Sequence, residues 1–307
     1  MQFSVRLLCI HLFLAAVIVL LAGCGSSHSA VSHLYVGNNA TPGQVLQFAL
    51  PLTDHSGATA VVANSATNNI VALALDPSGN LATGDSAGHL AIYNPPFGNS
   101  SNPSTSFNNG SAGNSGQLLF NSAGDLYAAT VGGHLNIFSH PLSSTSTPSQ
   151  IISSPLLFFT TGVAIDGAGN LIIGNTFTSN DSNLAVAPPV AGVTPSVTFV
   201  TPNVAGARYR HLAISGNQVF VAGTTATTGR VDVYSLPLSS TSTPAFSMTN
   251  VNSPTTVAFD GSGNLYVGNA GDHTIRVFQP PFSASSTPSV TLTLNSTFDI
   301  ESLAIGK

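Results

Sequence analysis

One phrase, written five times, constrains this chain more than anything else in it. It reads LALDPSGNLATGD from Leu73, LLFNSAGDLYAAT from Leu118, VAIDGAGNLIIGN from Val163, LAISGNQVFVAGT from Leu212 and VAFDGSGNLYVGN from Val257. Asp76, Asn121, Asp166, Ser215 and Asp260 take the same place, at intervals of 45, 45, 49 and 45 residues. A near-constant period of this size means stacked supersecondary units, none of which can bury its apolar face alone. Each copy holds short apolar runs bounded by Gly, Asn, Pro and Ser. That is a strand pattern, and no helical periodicity of useful length competes with it.

The chemistry of each copy supplies four strands. The Asp or Asn of the first turn accepts hydrogen bonds from N–H groups further along, and the turn Gly supplies positive φ. Asp-x-x-Gly-Asn lacks the further acidic ligands of a calcium loop, so it reads as a turn. A third strand follows: HLAIYNPPF, HLNIFSHPL, RVDVYSLPL and TIRVFQPPF. Then comes a connector with prolines seven apart, as at Pro141 and Pro148 or Pro237 and Pro244. Proline before a strand is tolerated where its missing N–H has no ladder partner, which puts the fourth strand on an outer edge. Four strands per unit is a propeller blade.

The ends complete the count. SHLYVGN at 32–38 matches LYVGN at 265–269, so the repeating region begins with a second strand, followed by a third from Gly43 and a fourth from Thr59. The missing first strand is SLAIG at 302–306, which is expected to pair beside His33 to Gly37. The expected fold is all-β: a six-bladed β-propeller closed by pairing of the C-terminal with the N-terminal strand.

The pattern VAFDGSGNLYVGNAGDHTIRVF and its relatives resemble the six-bladed NHL-type propellers over nearly all of residues 32–307. That resemblance implies architecture and leaves function open, because such propellers include both enzymes and binding platforms. Gluconolactonase and streptogramin lyase propellers are similar in appearance. The former family places Glu, Asn and Asp around a divalent metal, and Glu301, Asn38, Asn175, Asn269 and Asp85 are the right residue types, without an alignable ligand motif.

The N-terminus reads as a targeting segment. Arg6 precedes the apolar run Leu7–Leu21, which ends in Leu21-Ala22-Gly23-Cys24 and resembles a bacterial lipobox. The expected organisation is a lipoprotein signal peptide at 1–23, a lipidated tether at 24–31 and the propeller at 32–307. Lipidation of Cys24 implies the cell envelope and attachment to a membrane, and resemblance to proteobacterial sorting signals implies that Gly25, in place of Asp, favours the outer over the inner one. The chain's two cysteines are Cys9 and Cys24, which leaves the propeller without thiolate chemistry.

Charged residues make up only 6% of the chain, and the net charge is −5 with no basic run, which argues against a nucleic-acid partner. The expected partners are a protein, glycan or small molecule, met by a monomer.

Three sets of residues are candidates for chemistry. At the end of strand two the six copies give Asn38, Asp85, Thr130, Asn175, Thr224 and Asn269, either a polar ring around an axis or six loop starts bonded to nearby backbone. His89, His134 and His273 follow four residues on; they read as loop histidines ahead of strand three, with metal the less favoured role. The loops leading into strand one hold Arg208, Arg210 and His211 on one side and Asp299 and Glu301 on the other. In so uncharged a chain these five form an ion-pair cluster, a polar ligand site or solvated loops, and Glu301 with His211 has the residue types of an acid–base pair. The expected function is a non-catalytic binding or scaffold module without a cofactor. The alternative is a metal-dependent lactonase-like hydrolase or lyase at the central channel, with a divalent ion such as calcium.

Overall fold

A computed structural model describes residues 32–65, 69–110, 114–178, 181–190, 194–224 and 229–306. The lipobox, Cys24 and the tether lie outside the described residues. Blade one contains β1 (His33–Asn38), β2 (Gly43–Ala49) and β3 (Ala60–Ser65). Blade two contains β4 (Ile70–Leu75), β5 (Leu81–Asp85), β6 (His89–Tyr93) and β7 (Thr105–Asn108). Blade three contains β8 (Ser115–Phe120), β9 (Leu126–Thr130), β10 (His134–Phe138) and β11 (Gln150–Ser153). Blade four contains β12 (Phe159–Ile165), β13 (Leu171–Thr178), β14 (Asp181–Ala187) and β15 (Phe199–Val200), with β16 (Val204–Ala205) also paired to β14. Blade five contains β17 (Arg208–Ser215), β18 (Gln218–Thr224), β19 (Gly229–Ser235) and β20 (Phe246–Met248). Blade six contains β21 (Pro254–Phe259), β22 (Leu265–Asn269), β23 (Thr274–Phe278) and β24 (Val290–Thr293). The last strand, β25 (Ile300–Gly306), returns to blade one and pairs with β1.

Closure follows the expected register, with Leu34 opposite Ile305, Tyr35 opposite Ala304 and Val36 opposite Leu303. The closing strand starts two residues earlier than its sequence match, at Ile300, because Asn38 also pairs there. First strands β25, β4, β8, β12, β17 and β21 touch in ring order and enclose a channel. Fourth strands lie on the outer edges, as the connector prolines require.

Packing explains why the ring must close. Every hydrophobic cluster bridges two neighbouring blades. Leu135 and Ile137 of blade three pack with Ile173 and Ala185 of blade four, and Phe220 and Val233 of blade five pack with Val257 and Val267 of blade six. Blade one shares one cluster with blade six, through Leu34 and Tyr266, and another with blade two, through Tyr35 and Leu81. Each sheet is therefore apolar on both faces, and its middle strands read as continuous apolar runs.

The lower face carries the repeated first turn. Asp166 Oδ1 accepts from the N–H groups of Ala168 and Asn170, and its Oδ2 accepts from the Asn170 amide, each within 2.9 Å. Asp76 and Asp260 do the same with Asn80 and Asn264. Gly79, Gly124, Gly169 and Gly263 have φ between 81° and 87°, where a side chain would be strained. In blade five a tight Ser215–Gln218 hairpin replaces this turn.

Candidate functional site

The upper face carries the loops from strand two to strand three and the chain leading into each blade. Just below it, all six first strands carry a β-bulge at the same level. The register slips between Ile70 and Ala72, Ser115 and Leu118, Thr160 and Gly162, Tyr209 and Leu212, Pro254 and Thr256, and opposite Gly37/Asn38. One extra residue per strand re-aims its side chains. The residues at these bulges include Gln117, Thr161, Arg210, His211, Thr255 and Glu301. Arg210 and Glu301 are therefore parts of strands and not of the loops in which sequence patterning places them, because pairing of Arg208 with Thr224 and of Ile300 with Asn38 extends β17 and β25 upward.

Two polar spans cross the channel at this level. Gln117 of blade three donates through Nε2 to the Leu212 carbonyl of blade five at 2.8 Å. Its Oε1 accepts from Leu212 N at 2.9 Å and from Val163 N of blade four at 3.1 Å. Gly162 makes this close approach possible, since a Cβ there would sit 2.5 Å from the Arg210 carbonyl oxygen. The second span joins Arg210 Nη1 of blade five to Glu301 Oε1 of blade one at 3.4 Å, past blade six. Below the spans the channel is a cavity of about 510 Å³ walled by at least three consecutive residues from every blade's first strand, such as Leu212–Ile214 and Leu303–Ile305.

Burial governs the titration of this cluster. It pushes the Glu301 carboxyl up to about 7, with Arg210 and Arg208 opposing and Asp299 adding to the rise. Burial, reinforced by the Arg210 charge, pulls the His211 imidazole down to about 3, so His211 is neutral at physiological pH. Glu301 pairs with Arg210, and the charges acting on it come from Arg210, Asp299 and Arg208. Its chemistry is that of a carboxyl poised near neutrality beside a guanidinium.

The strand-two residues occupy equivalent places, and five of them bond to their own loops or to the chain leading into the blade. Asn38 Oδ1 accepts from Ala40 N and Asp299 N at 3.0 and 2.9 Å. Asp85 Oδ1 accepts from Ala87 N and His89 N, and its Oδ2 faces His89 Nδ1 at 2.9 Å. Thr130 Oγ1 donates to the His134 carbonyl at 3.0 Å. Asn269 Oδ1 accepts from Asn252 N at 2.8 Å, and its amide donates to Val267 and Thr274 carbonyls. Thr224, half-buried, closes β18 opposite Gly229. Asn175 is not a strand end, since β13 runs on to Thr178. Its Oδ1 accepts from Phe158 N at 2.8 Å and its amide donates to the Leu156 carbonyl at 2.9 Å, which clamps the chain leading into blade four. Five of the six are buried.

A metal finds a poor donor set here. Glu301 is flanked by arginines, the amide oxygens of Asn38, Asn175 and Asn269 are engaged by backbone N–H groups, and the Asp85 carboxylate is engaged by backbone N–H groups and by the His89 ring. Among the described residues no three His, Cys, Asp or Glu side chains are grouped as metal ligands would be. His89 faces Asp85, and His273 Nδ1 lies 3.1 Å from the Phe298 carbonyl oxygen.

Sequence reasoning missed Gln117, whose one signal is a polar amide directly before an apolar run that is apolar in every copy. It also missed a buried network inside blade five. There Tyr209 donates to Asp232 Oδ2 at 2.8 Å, Ser247 to Oδ1 at 2.5 Å, and Arg230 Nε lies 3.1 Å from Oδ2. Burial and the Asp232 charge hold the Tyr209 hydroxyl well above its usual range.

Fold and channel together define an all-β, six-bladed β-propeller of four-stranded blades. Solved structures of similar fold include a periplasmic gluconolactonase from Pseudomonas aeruginosa, at 12% identity and TM-score 0.60, covering 91% of this chain and 99% of the other. A protein of unknown function from Bacteroides caccae shares 10% identity at TM-score 0.64, covering 90% and 99%. The WD40 domain of Toxoplasma gondii coronin shares 15% at TM-score 0.55, covering 86% and 69%. At these identities the likeness is one of fold. No protein-family model matches the sequence, and a search of curated proteins found no match.

Proposed function

We propose that this chain is a lipid-anchored, extracytoplasmic binding or scaffold module that meets its ligand at the upper face. The observation that carries this reading is the Arg210–Glu301 span. Two charged side chains from blades five and one meet over the channel in a chain with 6% charged residues. A guanidinium 34% exposed above a carboxyl 9% exposed presents a cation to the upper face from a rigid base. Cys24→Ala should move the protein from the membrane to the soluble fraction, and unchanged retention in membranes would end the lipoprotein reading.

The second reading is a lactonase-like hydrolase. It is favoured by a Glu301 carboxyl poised near 7, which suits proton transfer at neutral pH, and by the likeness of fold to a gluconolactonase. Hydrolysis of glucono-δ-lactone by the purified protein, with and without added calcium, separates the two. Turnover abolished by Glu301→Gln establishes the enzyme; binding without turnover establishes the module.

A further inference from the structure

Each blade ends on an outer strand, and an outer strand's free edge is either covered or left to pair with another chain. On two blades of this ring the connector of the following blade does the covering. Val61 N of β3 donates to Asn99 Oδ1 at 2.9 Å, and beside it Ser100 N and Ser101 N donate to the Val61 and Val62 carbonyls at 2.8 and 2.9 Å. β3 is thus covered by peptide groups and one side-chain oxygen of blade two. On blade six, Thr291 N of β24 donates to Asp54 Oδ1 of blade one at 2.8 Å. Asp54 and Asn99 hold the same place, the third residue after the first proline of their connectors, Pro51 and Pro96.

Blade two lacks this cap. The third residue after Pro141, in the connector of blade three, is Ser144, whose hydroxyl ends one atom short of the Asn and Asp oxygens. Asn109 N donates to the Gly88 carbonyl at 2.8 Å, and opposed residues alternate from there between bonded and unbonded pairs. The N–H and C=O groups of Ser106 and Asn108 therefore point away from β6. Among the described residues no hydrogen bond reaches them from blade three, and Ser144 makes none.

A groove of about 650 Å³ lies there instead, with Ser106, Asn108 and His89 on one wall and Ser144–Pro148 on the other. That is the size of a ligand site. Both walls are fixed. The Asn136 amide donates to the Asn109 carbonyl, and a Cβ on Gly110 would sit 2.5 Å from Pro148 Cγ, so the two blades close up at one end. Ser143 N donates to Ser146 Oγ at 2.8 Å and Ser146 N to the Ser143 carbonyl at 3.0 Å, which holds the connector in its turn. Hydroxyls and amides dominate the lining, and His89, its Nδ1 2.9 Å from Asp85 Oδ2, is its one ionisable residue.

We infer that this groove takes an extended, uncharged segment of a partner protein, added along β7 as a fifth strand of blade two. Its peptide groups supply to Ser106 and Asn108 what Asn99–Ser101 supplies to β3, and Ser, Thr or Asn side chains suit the polar wall opposite. No residue lining the groove also lines the channel, so the inference goes beyond the channel-mouth reading and does not depend on it.

The probes are linear peptides selected from a random library on the full chain in detergent. Enrichment of uncharged sequences rich in Ser, Thr and Asn is expected. Replacing their amides by esters one at a time should weaken binding at every second position, the signature of strand addition. Ser144→Asn installs the cap of blades one and six and should weaken the peptides by about tenfold or more. Ser106→Pro removes an outward N–H without touching the β6 ladder, a change that edge strands tolerate, and should weaken them by a similar factor. A melting temperature no lower than the parent's certifies each variant; if Ser106→Pro melts lower, Ser144→Asn decides alone. No selection, selection of charged peptides, ester effects without alternation, or binding indifferent to Ser144→Asn overturns the inference. So does a dimer of the parent protein that Ser144→Asn dissociates, which would make the occupant a second copy of this chain.

Discussion

Gln117 Nε2 donates to the carbonyl oxygen of Leu212 at 2.8 Å, joining blades three and five across the intervening blade four. First strands present an unpaired backbone edge to the channel, and one side chain satisfies three of these groups on two blades. Gln117→Leu keeps the volume and removes all three bonds. It should cost about 2 kcal/mol in urea unfolding. A loss within roughly 0.5 kcal/mol, typical of an indifferent surface change, would show that the span carries no structural load.

Ring closure is the second point of leverage. Leu303 is 6% exposed and sits in the cluster shared by blades one and six. Leu303→Ala should destabilise by about 3 kcal/mol, read as a fall of roughly 6–12 °C in Tm for a domain this size. Deleting 300–306 opens both interfaces of blade one and should abolish cooperative melting. A sharp transition in the deletion variant would mean that closure is dispensable.

Stability should depend on pH in two opposed ways. The folded Glu301 titrates at about 7, above its ordinary 4.5, so the folded state holds the proton more tightly. That contribution is full below 4.5 and is lost as pH rises through about 7. The folded His211 titrates at about 3, below its ordinary 6.5, so the unfolded chain takes the proton first. That contribution is full above 6.5 and is lost as pH falls toward 3. Glu301→Gln should therefore move the pH of maximum stability upward, and His211→Gln should move it downward. Denaturant midpoints across pH 3–8 read both shifts, and shifts of the opposite sign would contradict the assigned burial.

The repeated turn closes on its own side chains and needs no ion. Asp166→Ala removes three hydrogen bonds at a partly exposed turn and should cost about 1–2 kcal/mol. A chelator should leave the Tm of the parent protein unchanged. A drop on chelation, restored by calcium, would turn these loops into metal sites.

Asn175 supports an apolar loop. Asn175→Ala leaves Phe158 N and the Leu156 carbonyl oxygen without their partner and should cost about 2–3 kcal/mol. Faster amide exchange should be confined to residues 155–160. Protection unchanged there would show that the loop is held by Leu157 alone.

Much of the fold is legible in the order of residues because its determinants are local. Asp166 and Asn170 lie in one turn, and their spacing is enough to specify it. The prolines of each connector mark an outer strand because a missing N–H is tolerated only there. The match of SLAIG to the first strand of the other copies located closure, since a repeat short of one strand at its start needs that strand elsewhere. The site was legible in its ingredients only. Arg210 and Glu301 stand out as rare charges, yet nothing in their neighbourhoods says that they touch. Gln117 is one amide among many polar residues until the ring brings Val163 and Leu212 to it.

The sequence by itself determined the repeating unit, the turn chemistry and the need for a closed ring, because hydrogen bonds between near neighbours and the periodicity of apolar residues depend on the chain alone. Tertiary structure decided which side chains meet over the channel. A one-residue bulge in each first strand turns Glu301, Arg210 and Gln117 to places that strand alternation does not predict. Residues in blades one, three and five become neighbours only when six similar sheets close around a common axis.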